Sequence, residues 1–332
     1  TIETIHQAIG DTAESCLRRI SEYEQETLAM QYGDPVDSSG DQSDFVILAL
    51  GKLGAREPNY HSDLDAVFLY LSDGQTQRRP GGHRATLTNQ QFFNETARRI
   101  MDRVNDSSHV PRLYELHSRL RDSGEEGLWA MQLDSFFSRF TEGEIPIWQW
   151  LALCKARVIS GSHSLRQRVD ERVHQTLSGI RWQSEMAAEI REMRLRMEQT
   201  ARPGNLKRGV GGTVDVELIS QALTLRYLKQ YPQILRVGTT ESLGALVDAG
   251  CLRKDQADVL TEGYRYLRRV EGNLRLMNTM ARHEIPDDVH DQHLLSFLMN
   301  AEDHHSVTSR CDEIRRANRQ VFNEVFVSLA SE

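Results

Sequence analysis

The chain has 332 residues, 39% of them hydrophobic and 27% charged, with a formal net charge of −8. Length and composition exclude a disordered chain and favour two or three packed, soluble units, while the negative balance excludes general nucleic-acid binding. No apolar run reaches a membrane span, and the four scattered cysteines (Cys16, Cys154, Cys251, Cys311) lack the spacing of a zinc or disulfide framework, so a cytoplasmic setting is expected.

No signal peptide opens the chain, and a start at Thr1 rather than Met suggests a fragment or a processed chain. Residues 2–31 read as one helix, with Ile5, Ile9, Cys16, Ile20 and Tyr23 near helical spacing. Residues 33–40 have a loop or linker composition. Phe45 to Leu50 is a short apolar run ending at Gly51, the pattern of a buried strand. A glycine-punctuated turn follows, then a second apolar run opening with Asp63 and Asp65. On a strand these two carboxylates share a face, and Leu64 and Ala66 point the other way into a core. Paired carboxylates repel unless a cation sits between them, and Mg²⁺ takes one or two carboxylates plus substrate phosphates. Gly51 and Gly54 allow backbone N–H groups to approach an anion. Strand, glycine turn and Asp-x-Asp strand together form a nucleotidyltransferase arrangement, far more specific than a bare Asp-x-Asp.

Residues 71–84 read as a polar loop whose arginines, Arg78, Arg79 and Arg84, are expected to be solvated. Thr88 to Val104 reads as a helix capped by Thr88 or Asn89, with Phe93, Ala97, Ile100 and Val104 buried. Arg112 to His117 reads as a strand with Leu113 and Tyr114 packing and Glu115 and His117 on one face. From Trp129 the pattern is helical. Phe136, Phe137 and Phe140 mark one helix and Ile147 to Ile159 another, and their aromatics suit a core. Met186, Ile190, Met193 and Met197 stripe a further helix, with Glu192 and Arg196 paired outside it. Residues 201–212 form a basic, glycine-rich loop leading into a helix that Thr213 or Asp215 can cap, an arrangement suited to an anion. Ala257 to Met277 and Ser306 to Ser328 are long helices, and the histidines between them (His283, His290, His293, His304, His305) match no tight metal pattern.

Several blocks resemble the glutamine synthetase adenylyltransferase / adenylyl-removing enzyme family. They are Gly51-Lys52-Leu53-Gly54-Ala55-Arg56-Glu57 with Ser62-Asp63-Leu64-Asp65, Leu113 to Gly124, Lys155-Ala156-Arg157-Val158, and Leu206-Lys207 with Gly211 to Glu217. They run in family order from about residue 44 to the C-terminus. The resemblance implies an α+β chain: a nucleotidyltransferase fold, with a small mixed β-sheet and helices, followed by all-helical domains. The expected divisions are an N-terminal helix and linker (1–43), the nucleotidyltransferase core (44–128), a helical extension (129–200) and a C-terminal helical domain (201–332).

The activity implied is transfer of AMP from ATP to a tyrosine of glutamine synthetase, or its phosphorolytic removal, regulating nitrogen assimilation. Asp63 and Asp65 would hold Mg²⁺, and Gly51, Lys52, Gly54, Ser62, Arg119, Arg121 and Lys207 would face the nucleotide. Glutamine synthetase is the implied protein substrate, and a PII-type signalling protein a further partner; no nucleic acid and no membrane are expected. Gly211 to Glu217 resembles the adenylylating half. One departure stands out: His117 occupies the third carboxylate position, and Asp122 stands where the family has proline. Histidine accepts a proton but is a poorer Mg²⁺ ligand than oxygen. Three readings stay open: His117 works as the base, Glu115 compensates, or the chain is a catalytically silent regulatory module.

Overall fold

A computed structural model describes residues 1–80, 85–108, 113–119, 128–143, 145–277 and 283–331. Arg84, Arg112 and residues 120–124 of the block Leu113 to Gly124, Arg121 among them, lie outside the described residues. The chain is mixed helix and strand. Its first element is α1 (Ile2–Tyr32), capped by the Thr1 side chain. The buried face of α1 is His6, Gly10, Ala13, Leu17, Ser21, Glu24 and Leu28, offset by one position from the expected stripe, and Tyr23 is exposed. Small residues alternate with Leu17 and Leu28 on that face: Gly10 lies against the Pro58 ring, and Ile5, Ile9 and Ile20 sit at the edges.

The stretch read as a linker instead contains β1 (Asp34–Asp37), which pairs antiparallel with β4 (Gly74–Gln77) inside the stretch read as a loop. Arg79 is not solvated alone there; it bridges Asp34 and Glu26. The main sheet is built on β2 (Phe45–Leu50) and β3 (Asp63–Tyr70), an antiparallel pair. β5 (Glu115–Ser118) and β6 (Ala130–Gln132) both run parallel to β3, at its start and its end, and β7 (Arg157–Val158) pairs with the far edge of β2. Every residue of β2 is buried, which is why it reads as an unbroken apolar run.

The two faces of this sheet bury different layers. Phe45, Ile47, Ala49, Leu64, Ala66 and Phe68 pack against α1 and α3 (Asn89–Asn105), which Thr88 caps in a reciprocal box with Gln91. Val46, Leu48, Leu50, Val67 and Leu69 pack against α4 (Leu133–Glu142), α5 (Ile147–Leu153), α6 (His163–Gly179) and the helices beyond them. Two expectations fail here. Residues 147–159 divide into α5 and β7, because Val158 extends the sheet opposite Leu48 rather than continuing the helix. Leu113 does not pack, being 67% exposed, whereas Tyr114 does, its hydroxyl donating to the Ile9 carbonyl at 3.3 Å. In α7 (Ser184–Gln199) the buried positions are Ala187, Ile190 and Arg194, with Met186 and Met193 beside them, and Glu192 and Arg196 pair outside as expected.

The C-terminal half is helical: α8 (Thr213–Tyr227), α9 (Thr239–Asp248), α10 (Lys254–Met277), α11 (Val289–Met299) and α12 (His304–Ser331). The apolar stripe of α10 carries an unusual load, for Arg268, Glu271 and Arg275 are buried with it. Arg268 pairs with Glu271 and donates to the Glu57 carbonyl. Arg275 donates to the Tyr60 carbonyl at 2.7 Å and to Ser62 Oγ at 3.0 Å. Lys52 Nζ lies 3.7 Å from Glu271. Residues 51–62, between the two central strands, are thereby fixed to α10.

Two stability predictions follow from this cluster. Glu271→Gln strands Lys52, Arg268 and Arg275 in the interior, so urea unfolding should show a loss of about 3–5 kcal/mol. A loss within experimental error would mean that the cluster does not hold the halves together. His6, beside Arg268, is pushed down to about 2 by burial and then by the Arg268 charge. The folded chain therefore keeps it neutral while the unfolded chain protonates it below about 6.5, so stability falls with pH below that value, by up to about 1.4 kcal/mol per unit. His6→Asn should flatten the decline in Tm between about pH 6.5 and 5; an unchanged decline would assign it to other groups.

Candidate active site

The site begins where β2 ends. Gly51 turns the chain with φ of +54°, and a Cβ there would stand 2.7 Å from Asp65 Oδ2. Glycine thus lets the turn lie directly against the Asp65 carboxylate. Gly54 is required for another reason: a Cβ would strike the Lys155 carbonyl oxygen at 1.9 Å. Asp63 and Asp65 extend from the same face of β3, and Leu64 and Ala66 are fully buried on the other. The parallel register sets Glu115 beside Asp63 and His117 beside Asp65. Four polar side chains from two strands therefore share one face.

Their contacts are specific. Arg119 Nε donates to Asp65 Oδ1 at 2.6 Å, and its terminal Nη2 lies 3.2 Å from His117 Nδ1. His117 Nε2 lies 3.3 Å from Glu115 Oε1, and Nδ1 stands 4.0 Å from Asp65 Oδ1. Donor atoms of Asp63, Glu115 and His117 all fall within 4.8 Å of one another. The set is two carboxylates and an imidazole, partly exposed, and it suits a divalent cation.

Of the residues expected to face a nucleotide, Gly51 and Arg119 join this group. Lys52 and Ser62 do not point with them: Lys52 turns inward, where burial and then the Arg268 charge hold its ammonium well below the usual lysine range. Ser62 Oγ accepts from the Asn59 N–H at 2.9 Å and from Arg275, closing the turn. Lys207 is half-buried, and its charge acts on Lys52, Glu217 and His283, which places it by the buried cluster behind the turn. Arg121 lies outside the described residues.

The loop before α8 is held from within. Arg194 donates to the carbonyls of Arg208 and Gly209 at 2.9 and 2.7 Å and pairs with Asp215 at 2.5 Å. Neither Thr213 nor Asp215 caps α8; Gly212 occupies that position without a side-chain bond, and Asp215 instead accepts from the Gly211 N–H at 3.2 Å. Glu217 faces Lys155 Nζ at 3.2 Å, and Lys155 also lies 3.9 Å from Glu57. Burial raises the Glu217 carboxyl, but the Lys155 and Lys52 charges outweigh it and hold it down at about 2.

The sequence reading missed Glu57, Arg268, Glu271, Arg275 and His283 as neighbours of the site. His283 Nδ1 lies 2.5 Å from Glu271 Oε1, and the charge of Asp63 reaches Arg275. A signal was present: Arg268, Glu271 and Arg275 fall on the buried face of α10, where an amphipathic helix carries apolar residues.

A family model described as glutamate-ammonia ligase adenylyltransferase matches residues 1–172, and one described as GlnD PII-uridylyltransferase matches residues 184–326. A bifunctional glutamine synthetase adenylyltransferase/adenylyl-removing enzyme of Rhodopseudomonas palustris is 32% identical over 96% of this chain and 32% of its own length. Proteins of the same name from Methylococcus capsulatus and Aromatoleum aromaticum are 29% and 28% identical, over 98% and 95% of this chain and 34% and 33% of their own lengths. The chain thus spans about a third of the curated relatives it matches. With more than half of its residues matched by the first of these models, the chain belongs to the glutamate-ammonia ligase adenylyltransferase family.

Proposed function

We propose that the chain is one nucleotidyltransferase half of such an enzyme, moving AMP between ATP and a tyrosine hydroxyl of glutamine synthetase. The observation that carries this reading is the shared face: Asp63 and Asp65 on β3, Glu115 and His117 in register on β5, and the Gly51 turn against Asp65. Residues 44–128 would form the nucleotidyltransferase core, with 129–200, which also lends β6 and β7 to the sheet, as extension and 201–332 as the C-terminal domain. The family's relatives carry the name of glutamine synthetase in their own, which supports that protein as acceptor. The form of Gly211 to Glu217 supports the adenylylating direction, and a PII-type partner remains part of the proposal.

Asp63 and Asp65, on one face of β3, would hold a divalent cation such as Mg²⁺ once Arg119 leaves the Asp65 carboxylate. Such an ion, when bound, neutralises the triphosphate and the charge developing on the leaving pyrophosphate. The chain's own groups supply the rest. The Gly51 turn offers backbone N–H groups near the Asp65 carboxylate. Arg119, already on this face, can pass from Asp65 to a phosphate oxygen, since its fork matches either. His117, freed of Arg119, accepts the tyrosine proton as the hydroxyl attacks the α-phosphate. Positioning of the two substrates by the α10-anchored turn supplies much of the rate.

A second reading is favoured by one contact. Arg119 engages both Asp65 and His117, the arrangement of a closed site, and a chain fixed in it would be a silent regulatory module. Labelled ATP, Mg²⁺ and glutamine synthetase separate the two. The first reading predicts AMP transfer by this chain, lost by about 100-fold or more in Asp63→Asn with the fold intact. Full activity in Asp63→Asn would refute the metal assignment. Silence in the chain and in His117→Asp, with no nucleotide bound, would establish the silent module.

A further inference from the structure

We propose that the groove between the loop before α8 and the helix α12 docks an acidic segment of a partner protein, with carboxylates on Arg315 and Arg316 and an apolar side chain on Val210. The groove is open, holds about 560 Å³ and is lined by Val210, Asp312, Arg315, Arg316 and Arg319. None of these residues belongs to the carboxylate face of β3 and β5.

Positive charge is in excess there. Arg319 and the buried Arg194 share Glu198 and Asp215, and Arg315 Nη1 lies 3.4 Å from Asp312. Arg316 has no acidic partner among the described residues; its Nε donates to the Asp312 carbonyl at 3.3 Å. Arg208, exposed two residues before Val210, has no acidic partner among them either. The chain as a whole carries −8, so this excess is local.

The second feature is Val210, 49% exposed on a loop that is tied down. Arg194 holds the carbonyls of Arg208 and Gly209, Arg315 Nε donates to the Val210 carbonyl at 3.0 Å, and Asn318 Nδ2 donates to that of Gly211 at 3.1 Å. Gly211, with φ of +71°, lies so close to α12 that a Cβ would stand 1.7 Å from the Arg315 carbonyl oxygen. The backbone is fixed to the helix, and the valine side chain is left in the groove. A preformed apolar spot beside arginines costs a partner little ordering.

The two features together select the occupant. Arginine forks match carboxylates bidentately. A phosphate group would gain nothing from Val210, and a nucleic acid would be repelled by a chain of this net charge. An acidic segment carrying an apolar residue uses both features.

Fluorescence anisotropy of the full chain with a fluorescein-labelled octapeptide, glutamates around two central leucines, tests this. The proposal predicts saturable binding with a Kd below about 1 mM at low salt, weakened by about fivefold at about 200 mM NaCl. Arg316→Glu should weaken it by about tenfold or more and Val210→Ser by about fivefold, with Tm unchanged. Lys229→Glu, an equal change of charge beyond the other end of α8, should leave binding intact. No saturation, equal weakening in Arg316→Glu and Lys229→Glu, or equal binding of an all-glutamate octapeptide would each overturn it. Displacement of the peptide by inorganic phosphate at matched ionic strength, or an RNA octamer bound more tightly and lost in Arg316→Glu, would assign the groove to phosphate groups and overturn it as well. None of these readouts depends on AMP transfer, so the transferase reading stands or falls separately.

Discussion

The buried carboxylate of Glu271 is the constraint on which the arrangement depends. It is the counter-ion for Lys52, Arg268 and Arg275, and His283 bonds to it as well. Burial alone would raise its carboxyl, but the surrounding cations, Lys52 first, hold it well below the usual range. Through those cations one residue of α10 fixes the turn after β2, the carbonyls of Glu57 and Tyr60, and the hydroxyl of Ser62. The Asp63 and Asp65 carboxylates begin at the next residue. A charge cluster in the interior thus sets the position of carboxylates at its edge, because an ion pair with several bonds to each member tolerates little displacement.

This explains why Lys52 and Ser62, though they sit in the motif, are structural in this arrangement. A motif residue can be spent on placing the site rather than touching a substrate. Gly54 illustrates the same point, since its missing side chain makes room for the Lys155 carbonyl. Lys155 in turn reaches Glu217 at the start of α8. Buried polar groups thus join the Lys155, Glu57 and Glu217 blocks, while strand pairing of β5 with β3 brings the fourth block to the carboxylate face.

Much of this was legible in the sequence. The β2 run, the shared face of Asp63 and Asp65, the opposite burial of Leu64 and Ala66, and the Thr88 cap all follow from periodicity of two and from capping chemistry. What escaped is what pattern reasoning cannot weigh. The face of α1 is missed in the sequence because Leu17 and Leu28 share it with glycine, alanine, serine, His6 and Glu24, and a hydrophobic stripe search follows the larger apolar residues. The β1–β4 ribbon escaped because its residues are polar and its partner lies some forty positions away. The cluster on α10 escaped because arginine and glutamate read as solvated until a partner from a distant turn is seen. Arg119 on Asp65 and His117 escaped for the same reason: sequence gives the charge but not the geometry that commits it.

The most direct test of the account is a crystal structure of this chain with Mn²⁺ and a non-hydrolysable ATP analogue, using anomalous scattering to locate the ion. The account predicts an anomalous peak at ligand distance from the Asp63 carboxylate, a triphosphate against the Gly51 turn, and an Arg119 side chain that has left Asp65 and His117. A nucleotide bound elsewhere, or a saturated crystal in which Arg119 still spans those two residues and no ion stands at Asp63, would contradict it.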